Sequence, residues 1–259
     1  MSNKQLILVI MILILLISCT QQYTKIESKA TSPLPRNKIN HETQSIKEET
    51  IIDFDLRTED NLNIKATFYK GNKEMPSIIL LHMLSKSRTD WNEFAVELQK
   101  LGYNVVAIDL RGHGQSDLNW RSFSDSDFNK MVFDVKAAKE YLTNGGVGDK
   151  IAVIGASIGA NIGLNFAAQD SSIKTIVLLS PGLDYRGVKT EQAIKQFTNP
   201  VLIVASEFDS YAADSSRALK SLSQNSTLKI YDGSLHGTNL FGKTDVDKVI
   251  ADWLNKNLK

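Results

Sequence analysis

Lys150 to Gly163 reads KIAVIGASIGANIG, and the reading of that stretch decides the fold. The run Ile151, Ala152, Val153, Ile154 is apolar throughout, as a parallel strand buried on both faces must be. It stops at Gly155, and a small-residue helical pattern begins after Ser157. A serine in G-x-S-x-G between strand and helix occupies a tight turn that lifts its hydroxyl clear of the sheet. Gly155 and Gly159 leave room where the two backbones approach, and Gly159, Ala160 and Gly163 let the helix pack near the sheet. Small-residue pentapeptides also occur in ordinary glycine-rich loops, so the meaning of this one depends on the rest of the chain.

Strand and helix patterns alternate on either side of it. IIDFDLR and LNIKATFY, separated by EDN, alternate apolar and polar residues and predict an antiparallel hairpin between Thr50 and Phe68. Ser77–Leu81 and Asn104–Leu110 read as buried strands. Between them, Trp91, Phe94, Ala95, Leu98 and Leu101 predict a helix capped by Thr89 or Asp90 and stopped at Gly102. Phe128, Met131, Val132, Val135, Ala138, Tyr141 and Leu142 predict a helix from near Asp127 to Gly145. After the serine come the strands IKTIVLLS and PVLIVA, a helix from about Tyr211 to Leu222, the strand TLKIY and a last helix through Val246 and Leu254. The alternation specifies an α/β fold: a mostly parallel, doubly wound sheet with helices on both faces and ligands at the carboxyl ends of its strands.

Composition excludes several functions. Thirty Lys and Arg against 29 Asp and Glu leave no basic field for nucleic acid. Cys19 is the only cysteine, so neither an intramolecular disulfide nor a cysteine metal cluster can form, and no cofactor signature appears.

The first residues read as an address. One lysine precedes an aliphatic run from Leu6 to Ile17, about a dozen residues where a membrane span takes roughly 20. Residues 1–18 are therefore expected to be a signal peptide. Thr20 to about Glu49 is polar, carries Pro33 and Pro35, and reads as a flexible tether in which His41 is solvated. The folded domain is expected over 50–259.

A serine hydroxyl is a weak nucleophile, so Ser157 needs a base, and the base needs an acid to fix its tautomer. One histidine follows Ser157: His236, in DGSLHGTNLF, between the last strand and the last helix. Asp209 follows PVLIVA at the carboxyl end of the sheet. Placement favours it over Glu207, closer to the strand, and Asp214, already in helical register; Asp232 reads as a turn residue beside Gly233.

Together these segments resemble the α/β-hydrolase fold serine hydrolases over the whole domain from about residue 50. LLHMLSKSRTDW resembles the family's oxyanion loop, DLRGHGQSD its loop after the next strand, GASIG its nucleophile elbow, and ASEFD and GSLHG its acid and base loops. Met83 stands where the family usually has glycine, and Ser206 where a glycine commonly precedes the acid by three. The resemblance implies acyl transfer to water through Ser157, His236 and Asp209, with the backbone N–H groups of Leu84 and Ile158 facing the oxyanion. His82 and His113 are expected to order loops. A histidine base predicts hydrolysis that falls as pH drops through about 6.5, the ordinary imidazole value. Only a short connection separates Ser180 from Pro200, so no large lid domain is expected and the site should be open to small acyl substrates. The same triad serves carboxylesterases, thioesterases, dienelactone-hydrolase-like enzymes and peptidases, and the fold also serves non-catalytic binding proteins. Leu16, Ile17, Ser18, Cys19 resemble a bacterial lipobox, which implies lipid modification of Cys19 and attachment to a membrane of the cell envelope.

Overall fold

The computed structural model describes residues 50–147 and 150–258. The signal peptide, the Cys19 anchor and the tether expected over 1–49 lie outside the described residues. No helix among the described residues is long and apolar enough to cross a membrane.

The chain opens with β1 (Ile51–Arg57) and β2 (Asn63–Tyr69), paired antiparallel with Phe54 opposite Ala66. β3 (Ser77–Leu81), β4 (Asn104–Ile108) and β5 (Ile151–Ala156) follow, every residue of all three buried. β6 (Ile173–Leu179), β9 (Val201–Ser206) and β10 (Ser226–Tyr231) complete an eight-stranded sheet in the order β1-β2-β4-β3-β5-β6-β9-β10. β2 alone runs against its neighbours. The hairpin β7 (Asp184–Tyr185) and β8 (Val188–Lys189) stands apart from that sheet.

Period-two alternation sends successive side chains to opposite layers. Ile79, Leu81 and Val153 face one core with Val135 and Leu142 of α3 (Val132–Asn144), Ile162 and Phe166 of α4 (Ile158–Ala167), and Ile194 of α5 (Glu191–Gln196). Ile78, Leu80 and Ile154 face the other with Phe94 and Leu98 of α1 (Asn92–Lys100) and Ile250 and Leu254 of α7 (Val246–Asn257). The expected doubly wound arrangement is the observed one, and α6 (Ser210–Leu222) covers the sheet beside β9 through Leu219.

Two helix boundaries differ from expectation. Arg88–Trp91 is a 3-10 turn and α1 begins only at Asn92, with no side-chain cap from Thr89 or Asp90. The backbone N–H of Arg88 donates to Asp109 Oδ1 at 2.7 Å and its guanidinium grips the same carboxylate, which ties the turn to the end of β4. The Thr89 hydroxyl is paired instead with that of Ser87. The helix expected from Asp127 is two: α2 (Asp125–Asn129) and α3, with Lys130 and Met131 between them. Asp127 accepts from the N–H and hydroxyl of Ser124 and closes the first turn of α2.

The glycines of the serine corner are sterically required. A Cβ on Gly159 would stand 2.6 Å from the carbonyl oxygens of Leu81 and His82, and one on Gly155 would stand 2.3 Å from the Gly159 carbonyl. Gly159→Ala is expected to cost about 3 kcal/mol and to lower the melting temperature by roughly 6–12 °C for a domain of this size. A melt within a degree or two of the parent would show that α4 can shift without penalty.

Candidate active site

Ser157 sits between β5 and α4 with φ 54° and ψ −122°, a conformation sparsely populated by any side-chain-bearing residue. It is held there by its N–H, which donates to Leu179 O on β6 at 2.8 Å, and by its carbonyl, which accepts from Ala160 at 2.9 Å. The residue is only 7% exposed.

β9 delivers Asp209 to the same end of the sheet. Its N–H donates to Ser206 O and its carbonyl accepts from Ala213 in the first turn of α6. β10 delivers His236, whose Nδ1 lies 2.6 Å from Asp209 Oδ2. An ionised carboxylate only accepts, so the proton sits on Nδ1 and Nε2 keeps its lone pair. The other acidic candidates are engaged elsewhere. Glu207 and Asp214 share Arg217, at 2.5 and 3.3 Å, and Asp232 is exposed.

Ser157 and His236 meet through their neighbours. Gly237 takes φ 54°, and a Cβ there would stand 3.2 Å from that of Ala156 and 2.3 Å from Met83 Sδ. The base loop therefore lies directly on the elbow, and its Gly237 N–H donates to Ser180 Oγ at 2.9 Å. Ser157 and His236 make no direct hydrogen bond with each other; catalytic hydrogen bonds of this kind are often long until the Michaelis complex forms.

The two backbone groups expected at the oxyanion are open. Among the described residues, neither the Leu84 nor the Ile158 N–H donates to another group of the chain. Ile158 is the first residue of α4, so the positive end of the helix dipole adds to its N–H. The Met83 side chain is buried against the base loop, with Thr238 Oγ1 3.9 Å from its sulfur.

His82 and His113 are both buried beside the site, with ring centroids 5.0 Å apart. The Leu110 N–H donates to His82 Nε2 at 3.0 Å, so the His82 proton is on Nδ1 and is donated to Met83 O at 2.7 Å. His82 thereby joins the loop after β3 to the loop after β4. His113 Nδ1 contacts Arg111 O, and its ring stacks on Trp120 at 5.6 Å. That loop is held further by Arg88 on Asp109 and by Arg111 on Asp134 and Asp60.

Burial, and secondarily the neighbouring His113, push His82 down to about 4. An unfolded histidine titrates near about 6.5, so between those values the unfolded chain binds a proton that the folded chain does not. Stability should fall as pH falls from 6.5 to 4, by about 3 kcal/mol from this group. Chemical denaturation near pH 7 and pH 4.5 checks it. His82→Asn should be less stable at pH 7 but lose less on acidification; equal losses would assign the acid sensitivity to other groups.

Burial and the nearby Asp209 charge raise Tyr185 well above the ordinary phenol value, so it stays protonated. Its ring lies edge-on to His236 at 6.4 Å, and its hydroxyl donates to Ser180 O at 3.4 Å. Sequence reasoning missed this residue, as it missed Ser180 and Asn161. The signal was Arg186-Gly187, whose φ values of 55° and 77° close the β7–β8 hairpin.

Several known proteins are similar to this chain. Residues 73–194 match the family described as Serine aminopeptidase, S33. An uncharacterized protein of Mycobacterium tuberculosis is 27% identical over 108 residues, 41% of this chain and 29% of that protein. The bifunctional esterase/perhydrolase of Acinetobacter calcoaceticus is 36% identical over 89 residues, 34% of this chain and 30% of that protein. The chain thus spans less than a third of the length of these two relatives. An esterase of Pyrococcus furiosus superposes with a TM-score of 0.69 at 20% identity, covering 81% of this chain and 91% of that one. The fold is the α/β-hydrolase fold: mostly parallel sheet, antiparallel N-terminal hairpin, serine at the strand-to-helix corner.

Proposed function

We propose that the protein is a carboxylic-ester hydrolase that works through an acyl-enzyme on Ser157. The observation that carries this is the 2.6 Å His236–Asp209 pair, set beside a serine on a strained elbow. Ser157 Oγ attacks the ester carbonyl carbon while His236 Nε2 takes its proton. The oxyanion forms against the N–H groups of Leu84 and Ile158, each worth about 3 kcal/mol in the transition state. As the tetrahedral species collapses, the C–O bond to the alcohol breaks and His236 returns the proton to the departing oxygen. Water then attacks the acyl group with His236 again as base, and the acid leaves with Ser157 regenerated. Asp209 fixes the imidazole and stabilises its charged form.

No metal or cofactor takes part in these steps. The esterase names among the similar proteins favour the ester, while the aminopeptidase family description favours an amide as the second reading. Stopped-flow hydrolysis of 4-nitrophenyl acetate, phenyl thioacetate and alanine 4-nitroanilide decides between them. A burst equal to the enzyme concentration on the ester, with slower turnover of the others, supports the esterase. Turnover of the anilide alone supports the aminopeptidase, and turnover of none supports a binding protein.

The N-terminal pattern extends the proposal: export by residues 1–18, lipid modification of Cys19 and a tether that holds the hydrolase at a membrane of the bacterial cell envelope. Cys19→Ala that stays membrane-bound after a high-salt wash would rule out the lipid anchor.

A further inference from the structure

The segment between β6 and α5 is short and tied to its surroundings by several hydrogen bonds. The Gly182 N–H donates to Asn161 Oδ1 at 3.0 Å, and Asn161 Nδ2 donates to Val188 O at 2.8 Å, so the nucleophile's own helix holds both ends of the β7–β8 hairpin. Thr190 Oγ1 donates to Gly182 O at 2.8 Å. From the other side, the helix that begins at the acid holds it too. The Leu183 N–H donates to Ser215 Oγ at 3.1 Å, and the Tyr211 hydroxyl both accepts from the Asp184 N–H and donates to the Asp184 carbonyl, each at 2.9 Å.

Tyr185 is the side chain this scaffold presents. Its ring lies so close on Gly182 that a Cβ there would come within 2.7 Å of it. Tyr211 packs on it at 5.5 Å and 65°, the Tyr185 hydroxyl donates to Ser180 O at 3.4 Å, and the Tyr185 ring stands at 85° to that of His236. A ring fixed on several sides is a wall and not a mobile lid.

The reaction says which part of a substrate meets that wall. The base must hand its proton to the leaving oxygen, so the alcohol portion lies beside His236, whereas the acyl oxygen lies at Leu84 and Ile158. We propose that Tyr185 is the specificity-determining wall of the leaving-group subsite, admitting esters of narrow alcohols and phenols and excluding those branched next to the ester oxygen. This rests on the esterase reading above. On this placement Tyr185 meets the alcohol portion and leaves the acyl chain untouched.

The test compares phenyl acetate, 2-isopropylphenyl acetate and phenyl hexanoate on the full chain. The parent should prefer phenyl acetate over its branched analogue, and Tyr185→Ala and Tyr185→Leu should each raise the branched-to-unbranched kcat/KM ratio by about tenfold or more, the scale of a pocket defined by a few carbons. Taking ratios between variants cancels the intrinsic reactivity of each ester. Tyr185→Phe keeps the wall and should hold the ratio within about twofold. The hexanoate-to-acetate ratio should stay within about twofold in every variant. An unchanged branched-phenol ratio in folded Tyr185→Leu, or a shift in acyl-length preference instead, overturns the proposal. Activity that survives Ser157→Ala would instead overturn the esterase reading, a separate outcome that also removes the subsite.

Discussion

Ser157→Ala is expected to lower kcat for ester hydrolysis by about 10⁵-fold or more, while the chain stays folded. In the proposed mechanism the loss is this large because the acyl intermediate forms on the Ser157 oxygen. The serine's φ of 54° aims one hydroxyl out of a corner whose other residues are Ala156 and Ile158. What remains should be the modest effect of N–H donors and binding on attack by water. The substitution keeps the backbone conformation within reach of a small residue, and circular dichroism together with a melt close to the parent's would establish that the chemistry alone was lost. A loss of less than about tenfold would mean that hydrolysis takes another route.

Asp209→Asn should lower kcat by about 10⁴-fold with little change in KM. The isosteric amide can donate its N–H to His236 Nδ1, which would shift the imidazole proton to Nε2, the atom that must accept from Ser157. The 2.6 Å contact leaves no room for a compensating water. Glu207→Gln and Asp214→Asn serve as comparators, because both carboxylates are spent on Arg217 at the surface. Each should stay within about twofold of the parent. Equal damage from Glu207→Gln would move the role of acid to that residue.

Much of this arrangement is legible in the sequence because its causes are local. A parallel strand covered on both faces must be apolar at every position, and Ile151–Ile154 is. Gly155 and Gly159 are dictated by carbonyl oxygens within 2.6 Å of where a Cβ would be. Features that depend on distant groups were hidden. The break at Lys130 and Met131 falls inside an unbroken apolar period running from Phe128 through Met131 to Val135, so spacing alone joins α2 to α3. The 3-10 turn at Arg88 follows from a buried carboxylate 21 residues later. Two-residue strands are too short to show alternation, which hid β7 and β8, and Tyr185 reaches His236 only because Asn161, Ser215 and Tyr211 hold its hairpin in place. Met83, which stands after His82 where the family usually has glycine, packs against Gly237 and Thr238 of the loop that carries His236.

In the proposed mechanism Ser157 is a nucleophile activated by His236. A biotinylated fluorophosphonate tests it directly when the modified protein is digested and the adduct is located by mass spectrometry. One stoichiometric adduct is expected, on the peptide that carries Ser157, formed at a rate that collapses in His236→Ala and absent after heat denaturation. An adduct on another serine, or no adduct on the folded chain, would contradict it.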